Sequence, residues 1–467
     1  MAGALQPRNG SLQKPRNTSR TLSMLGQYML HSAPLLILAL VLSIVGNVFQ
    51  LIGPALCGRA IDAASGGKGQ VDFQTVYYYA LQMIVFYVAS AALAYLVPQI
   101  VLRISQRTVR LMRGDLFYKL MHLPVKYFDT HQIGELLSRI SYDIDTVNTS
   151  LSNDLVQILT SIITIVGALV MMIKISPLLV LVFVVTVPLS VLFTRFMTSR
   201  VRPLYHNRSK CLGALNGFAE EYISGQKTIR AYHREEDALT RFDEKNEDAV
   251  NSYYKAEYYA SSTGPSVNFI NNLSLTLISI FGALMYLNGA ITLGNISSFV
   301  LYSRKFTGPI NEAANIFSEL QSALAAAERV FELLNEEEET VDVQGAFPLQ
   351  VEKGEVDLKH VDFGYDSEKM ILKNINLTAK PGNMIAIVGP TGAGKTTIVN
   401  LLMRFYDPQS GEILIDGQSI YQVTRKSLRG SFSMVLQDTW LFKGTTHDNI
   451  AYGNPDATRE AVIAAAK

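Results

Sequence analysis

Eight residues, Gly389-Pro390-Thr391-Gly392-Ala393-Gly394-Lys395-Thr396, set three glycines ahead of a lysine and a hydroxyl. The spacing is G-x-x-x-x-G-K-[ST]. Glycines there let backbone N–H groups turn inward onto phosphate oxygens, the lysine brings a cation to the β- and γ-phosphates, and the hydroxyl reaches Mg²⁺. A match arises by composition in about one or two of every hundred chains of this length, so the flanking elements decide its meaning. Met384-Ile-Ala-Ile-Val388 predicts a short strand running into the loop. Thr397-Ile-Val-Asn-Leu-Leu-Met403 predicts a helix leaving it, whose N-terminus adds a positive dipole end. Gly389 through Thr396, with Thr397 opening the helix, are therefore the candidate nucleotide-binding residues, and Thr396 the candidate Mg²⁺ ligand.

The elements that must carry this loop are unusual in composition. The chain has 467 residues, of which 17% are charged against about 25% in ordinary soluble proteins. Hydrophobic residues reach 48%, and mean hydropathy is +0.18. Such a chain is not disordered, and two cysteines make no disulfide framework. Lys and Arg number 41 against 40 Asp and Glu, so global charge points to no nucleic acid. The apolar excess sits in runs long enough to cross a bilayer, which needs about 20 residues. Pro34–Leu56, Val76–Leu102, Leu155–Ile173, Leu178–Phe196 and Val267–Leu287 are five such runs. A sixth begins near Asn295 and is weakened by Arg304 and Lys305.

Cations set the expected orientation. Arg8, Lys14, Arg16 and Arg20 precede the first run, Arg103, Arg107, Arg110 and Arg113 follow the second, and Arg200, Arg202, Arg208 and Lys210 follow the fourth. The alternate links carry only Arg59 and Lys68, then Lys174, then none. The amino terminus and both long connections are expected on the cytoplasmic side, with Cys57 and Cys211 near opposite faces. Each connection, Arg103–Asp154 and Ser199–Ser262, is too long for a bare loop and reads as helical extensions of the spans. Each is broken at its tip, at Leu123–Thr130 and at Tyr222–Ile229, where a turn with a short helix is expected. An amphipathic helix over Ala313–Leu334 leads to Glu336–Glu339; most such acidic runs are solvated surface, and this one is read as marking a linker into the next domain.

Taken together, Val361-Asp-Phe-Gly-Tyr365, the glycine loop, Phe405-Tyr-Asp-Pro-Gln-Ser-Gly-Glu-Ile-Leu-Ile-Asp-Gly417 and Val435-Leu-Gln-Asp438 resemble the nucleotide-binding domain of ABC transporters. The membrane part is similar to one half of the six-span bacterial exporters of the multidrug and lipid type. Pro124-Val-Lys-Tyr-Phe-Asp129 and Ile223–Tyr232 correspond to that family's two intracellular loops. The resemblance implies an all-α six-helix membrane domain followed by an α/β P-loop domain. It gives a tail over 1–20, the transmembrane domain over 21–335, a linker over 336–350 and part of the nucleotide domain over 351–467. It further implies ATP and Mg²⁺ as cofactors, Tyr365 stacking on adenine, and Gln437 contacting Mg²⁺ or the attacking water. The loop tips would be coupling helices, one reaching across to a second half-subunit in a homo- or heterodimer. The expected activity is ATP-driven export or flipping of hydrophobic or amphipathic drugs or lipids across the cytoplasmic membrane, by alternating access.

Past Gln437 the sequence departs from that pattern. No signature of the Leu-Ser-Gly-Gly-Gln type, no acidic strand end with a catalytic Glu and no switch His follows, and the sequence stops in a helical pattern at Lys467. The expectation is of a chain truncated within the nucleotide domain that does not hydrolyse ATP alone. A nucleotide-gated channel, or a regulatory, catalytically degenerate half of a heterodimer, is the alternative reading. Arg304, about 14 Å along the sixth run, is expected to face a polar translocation pathway. Phe299, Tyr302 and Phe306 are candidates for an apolar wall beside it, although core packing is their commoner use.

Overall fold

The computed structural model describes residues 17–67, 71–366, 369–436 and 439–467. In chain order the helices are α1 (Thr18–Leu30), α2 (Ala33–Ala64), α3 (Phe73–His122), α4 (Val125–Thr130), α5 (Ile133–Ser138), α6 (Ile144–Ile175), α7 (Pro177–Ser224), α8 (Gln226–Ala231), α9 (Glu235–Leu287) and α10 (Leu293–Leu334). The chain divides into two compact units. One comprises the residues up to Lys119 with Gly134–Asn335, and the other Leu120–Ile133 with Glu336–Lys467.

Among the described residues of the helical unit, five helices are long and apolar enough to cross a membrane: α2, α3, the run Ile133–Ile175, α7 and α9. Helix α10 is as long but is interrupted by Arg304, Lys305 and Glu312. Local chemistry sets the breaks. Ser176 is extended and its hydroxyl accepts from Leu179 N at 3.4 Å, while Pro177 takes the first helical position. Gly289, at φ +71°, closes α9, and the Thr292 hydroxyl caps α10 by accepting from Asn295 N at 3.1 Å. Pro309 does not end α10, which runs unbroken through Gly308-Pro309. Helices α2 and α10 approach closely, since a Cβ on Gly294 would lie 2.0 Å from Gly58 O. There the Asp62 carboxylate accepts from Gly294 N at 2.7 Å and from the Thr292 hydroxyl at 2.8 Å.

The three α10 aromatics are core residues, not an apolar substrate wall. Phe299 and Phe306 pack against Phe183 at 6.3 and 5.2 Å between centroids, and Tyr302 donates to Leu51 O at 2.6 Å. Burying those rings against Met172, Leu179 and Ile278 removes more apolar surface than a lining position would. Arg304, on the same helix, is exposed. Between α5 and α6 the helix widens into a π-turn over Arg139–Asp143. Asp143 is buried there and is held by the Arg329 guanidinium, with Nε at 2.9 Å from one oxygen and Nη2 at 2.5 Å from the other.

The second unit is built on a four-stranded antiparallel sheet of β1 (Val356–Phe363), β2 (Leu372–Ala379), β3 (Ser410–Ile415) and β4 (Gln418–Ser419), ordered β2-β1-β3-β4. Val356 pairs with Ala379 on one side and Ile415 on the other. Helices α11 (Lys395–Leu402), α12 (Arg425–Gly430), α13 (Thr446–Ile450) and α14 (Arg459–Ala466) complete it. Leu358, Val361, Phe363, Leu401, Ile413 and Val423 form its core. The strand expected at Met384–Val388 is not formed. That stretch carries no ladder, and Met384 and Val388 are 97% and 88% exposed. An apolar, β-branched run becomes a strand only with neighbours to pair its backbone and cover its faces, and no described segment does so.

Glu339, at the end of the acidic run, is not left to solvent. Its carboxylate takes the Arg429 guanidinium at 2.5 and 3.0 Å. Nearby, Arg425 bonds Asp342 at 3.0 Å and Thr340 O at 2.6 Å. The acidic segment is thereby fastened to α12, whose arginines lie some ninety residues away in sequence.

Candidate nucleotide-binding site

The glycines of the loop are fixed by backbone geometry. Gly392 and Gly394 sit at φ +88° and +87°, where L side chains are strained. At Gly394 a Cβ would also lie 2.7 Å from Leu372 Cδ2 and 3.0 Å from Ile371 Cγ2. Ala393 N donates to Pro390 O at 3.2 Å, turning the loop over Pro390, Thr391 and Gly392. Lys395 arches back so that Nζ donates to Gly389 O and Pro390 O, each at 2.9 Å. This holds the ammonium over the loop.

Helix α11 begins at Lys395 with Gly394 as its cap. No side chain caps it, and no acidic residue lies in its first turn. Its opening N–H groups, which have no acceptor within the helix, therefore compete with nothing for an anion. Thr396 is exposed at this end. Thr397 is buried, and its hydroxyl is turned to Tyr365 Oη at 3.3 Å. Asn400 Nδ2 donates to the same Tyr365 oxygen, also at 3.3 Å. Thus Tyr365 and the glycine loop, 24 positions or more apart in sequence, are brought together through Thr397. The Tyr365 ring meets Phe363 and Tyr406 edge-on, at 5.0 and 4.9 Å, and stays 40% exposed.

These residues fit a nucleoside triphosphate. A glycine turn that a Cβ would fill, a lysine ammonium over it and an uncapped helix N-terminus are what a polyphosphate requires. For Mg²⁺, the Thr396 hydroxyl is the described candidate. Among the described residues no group of three or more His, Cys, Asp or Glu side chains could hold a metal ion. The donor set suits an ion that keeps its waters and arrives with phosphate oxygens. Gln437 lies outside the described residues.

Two contacts of this unit had no sequence signal. Tyr406 donates to the Asp129 carboxylate on α4. Burial first, and then that carboxylate, push the phenol well above its ordinary pKa. On the same helix Tyr127 is buried and stacks on His131 at 4.0 Å, while Glu339 N donates to His122 O at 2.9 Å. Tyr406 touches Tyr365, so the ring beside the glycine loop and the tip helix share one neighbour. The second is Asp416, at φ +46°, whose carboxylate accepts from the N–H groups of Lys353, Gly354, Glu355 and Glu352 at 2.7–3.1 Å. Those four donors hold its pKa far below the usual carboxylate range.

Comparison with known proteins gives the family. Residues 36–310 match the ABC transporter transmembrane region, and residues 372–467 match the ABC transporter family model. An uncharacterized ABC transporter ATP-binding protein of Bacillus subtilis (strain 168) is 40% identical over 97% of this chain and 75% of its own length. A fatty acid ABC transporter ATP-binding/permease protein of Mycobacterium bovis is 42% identical over 86% of this chain, which spans 63% of that relative. A multidrug resistance ABC transporter ATP-binding and permease protein of Lactococcus lactis is 31% identical over 89% of this chain and 69% of its own length. The structure of a bacterial Atm1-family ABC exporter with ATP bound superposes with a TM-score of 0.71, at 26% identity, over 92% of this chain and 75% of that one. This chain is therefore a multi-pass membrane protein of the ABC transporter family, an exporter-type half-transporter with a membrane region and an ATP-binding region in one polypeptide.

Proposed function

We propose that the complete protein exports hydrophobic or amphipathic molecules, drugs or lipids, across the cytoplasmic membrane as one half of a dimer that alternates between inward- and outward-facing states. The observation carrying this reading is the geometry of the glycine loop, preformed for a triphosphate on the same polypeptide as five membrane-length helices. The relatives' names, fatty acid transporter and multidrug resistance transporter, supply the substrate class. Cation placement puts the amino terminus and the ATP-binding unit in the cytoplasm.

When bound, MgATP supplies the binding and hydrolysis free energy that biases one global state over the other. Within this chain, Lys395 exchanges its two loop carbonyls for phosphate oxygens, and the N–H groups opening α11 hold the anion. The Thr396 hydroxyl would help hold the metal, and Tyr365, positioned by Thr397 and Asn400, would offer its ring to adenine. Gln437 would contact the metal or the attacking water and report nucleotide to the membrane helices. Tyr406 passes a displacement of Tyr365 to Asp129 on α4. The other tip, α8, buries no residue of its own and meets the second half-subunit. Arg304 faces the translocation pathway.

The test is ATP-dependent uptake of a fluorescent lipid or drug into inside-out vesicles carrying the full-length protein. Uptake that vanishes in Lys395→Ala supports the reading. Nucleotide binding without uphill uptake of any such probe contradicts it and favours a gated channel or regulatory half.

A further inference from the structure

Three neighbouring cavities of the helical unit are each lined in part by α6. The first, of about 310 Å³, lies among α2, α3 and α6 at membrane depth and is lined by Asn47, Gln50, Ser90, Thr160 and Thr164. The second, of about 240 Å³, is almost wholly apolar and shares Ser43, Val97 and Val156 with the first. The third, of about 370 Å³, is apolar too. It shares Leu155 and Leu159 with the second and extends to Leu22 and Leu25 of α1. Each is within or near the size range of small-molecule pockets, and in succession they form a track of adjoining chambers, polar at one end and hydrocarbon-like along the rest.

At the junction stands Ser43. It is 5% exposed, yet its hydroxyl has no hydrogen-bond partner. A helical serine at membrane depth ordinarily bonds a carbonyl one turn back, and leaving it unbonded costs free energy. Its neighbours are satisfied. Asn47 Nδ2 donates to Ser43 O at 2.9 Å, Thr164 donates to Asn47 Oδ1 at 3.0 Å, and Ser90 donates to Gly46 O at 3.0 Å. The walls of the polar chamber carry amides and hydroxyls but no charged side chain. Its Gln157 is bonded at 2.8 Å to the Glu312 carboxylate, which disfavours an anionic headgroup nearby.

Building on the transport reading, we infer that this track binds an amphiphile with a single hydrocarbon chain and a compact, uncharged hydroxyl or amide headgroup. The Ser43 hydroxyl, shielded in this structure, turns about χ1 into the cavity to bond the headgroup, and the chain lies along Val97, Leu155 and Leu159. A phosphate or carboxylate headgroup would find no cation in the chamber and would be buried unpaired.

The test uses the full-length protein in nanodiscs and monopalmitin carrying a diazirine in its chain and a terminal alkyne. The expected result is labelling of the peptide bearing Leu155 and Leu159, displaced by unlabelled monopalmitin and not by palmitate or lysophosphatidate. Ser43→Ala should weaken labelling about fivefold, the loss of one neutral hydrogen bond, and Ser43→Leu, which fills the junction, should abolish it. An unchanged melting temperature in Ser43→Ala separates this from misfolding. Labelling elsewhere, equal displacement by the anionic amphiphiles, or no response to either substitution overturns the inference. ATP-driven export of the probe without labelling of this peptide sinks the site and leaves the transport reading standing. Labelling without export does the reverse.

Discussion

Helices α4 and α8 are each six residues long, and each stands at the tip of a long helical connection. They differ in what they bury. Helix α4 belongs to the compact unit of the sheet and buries Tyr127, with Leu123 just before it. Helix α8 belongs to the helical unit and buries nothing, and Ile223 and Tyr232 beside it are 74% and 75% exposed. Two segments of the same length and placement therefore have different energetic roles. The first is held by its own chain and is a matter of stability, whereas the second contributes little to folding and is free to meet another molecule.

Substitutions at the two tips should separate these roles, beginning with the largest effect. Tyr127→Ala removes a buried ring and should cost the sheet unit about 3–5 kcal/mol, read as a lower denaturation midpoint. Tyr232→Ala should change stability by no more than about 0.5 kcal/mol. Comparable losses at both positions would erase the distinction. Next, Tyr406→Phe removes the bond to Asp129 and should cost about 1 kcal/mol, discounted for partial exposure. It should also uncouple ATPase from substrate stimulation in the complete dimer, while ATP binding persists. Ile223→Asp should leave the melting temperature unchanged and weaken dimer-dependent ATPase. A stability loss there instead would place α8 in this chain's own core.

The smallest effect is a pH control. Asp416 titrates lower in the folded than in the unfolded chain, because Lys353, Gly354, Glu355 and Glu352 N–H groups bond its charged form. A depressed folded pKa gives a contribution fully present above the unfolded value, about 4, and lost as pH falls through the folded one. The stability difference between wild type and Asp416→Asn should therefore be flat near neutrality and shrink below about pH 4. A difference that grows on acidification would contradict the assignment.

Much of this architecture was legible in the residues, for a physical reason. Membrane runs and the glycine loop are local patterns: uncharged runs such as Pro34–Leu56, and glycines that must take positive φ. What was not legible depends on partners distant in sequence. Met384–Val388 has the composition of a strand but pairs with no strand among the described residues. The partner of Glu339 could not be read because Arg429 lies ninety positions on. Phe299, Tyr302 and Phe306 had two possible uses, and only the packing of Phe183 against two of them decided. At the site, the glycine pattern could be read directly. The Thr397–Tyr365–Tyr406–Asp129 succession could not, because no short spacing encodes it.

The central claim is that the glycine loop holds ATP through Lys395, and equilibrium titration of the full-length protein with a fluorescent ATP analogue tests it most directly. Saturable binding is expected, weakened about tenfold or more in Lys395→Ala, as loss of a charge-assisted contact to phosphate requires. Superimposable isotherms for the two proteins would contradict it.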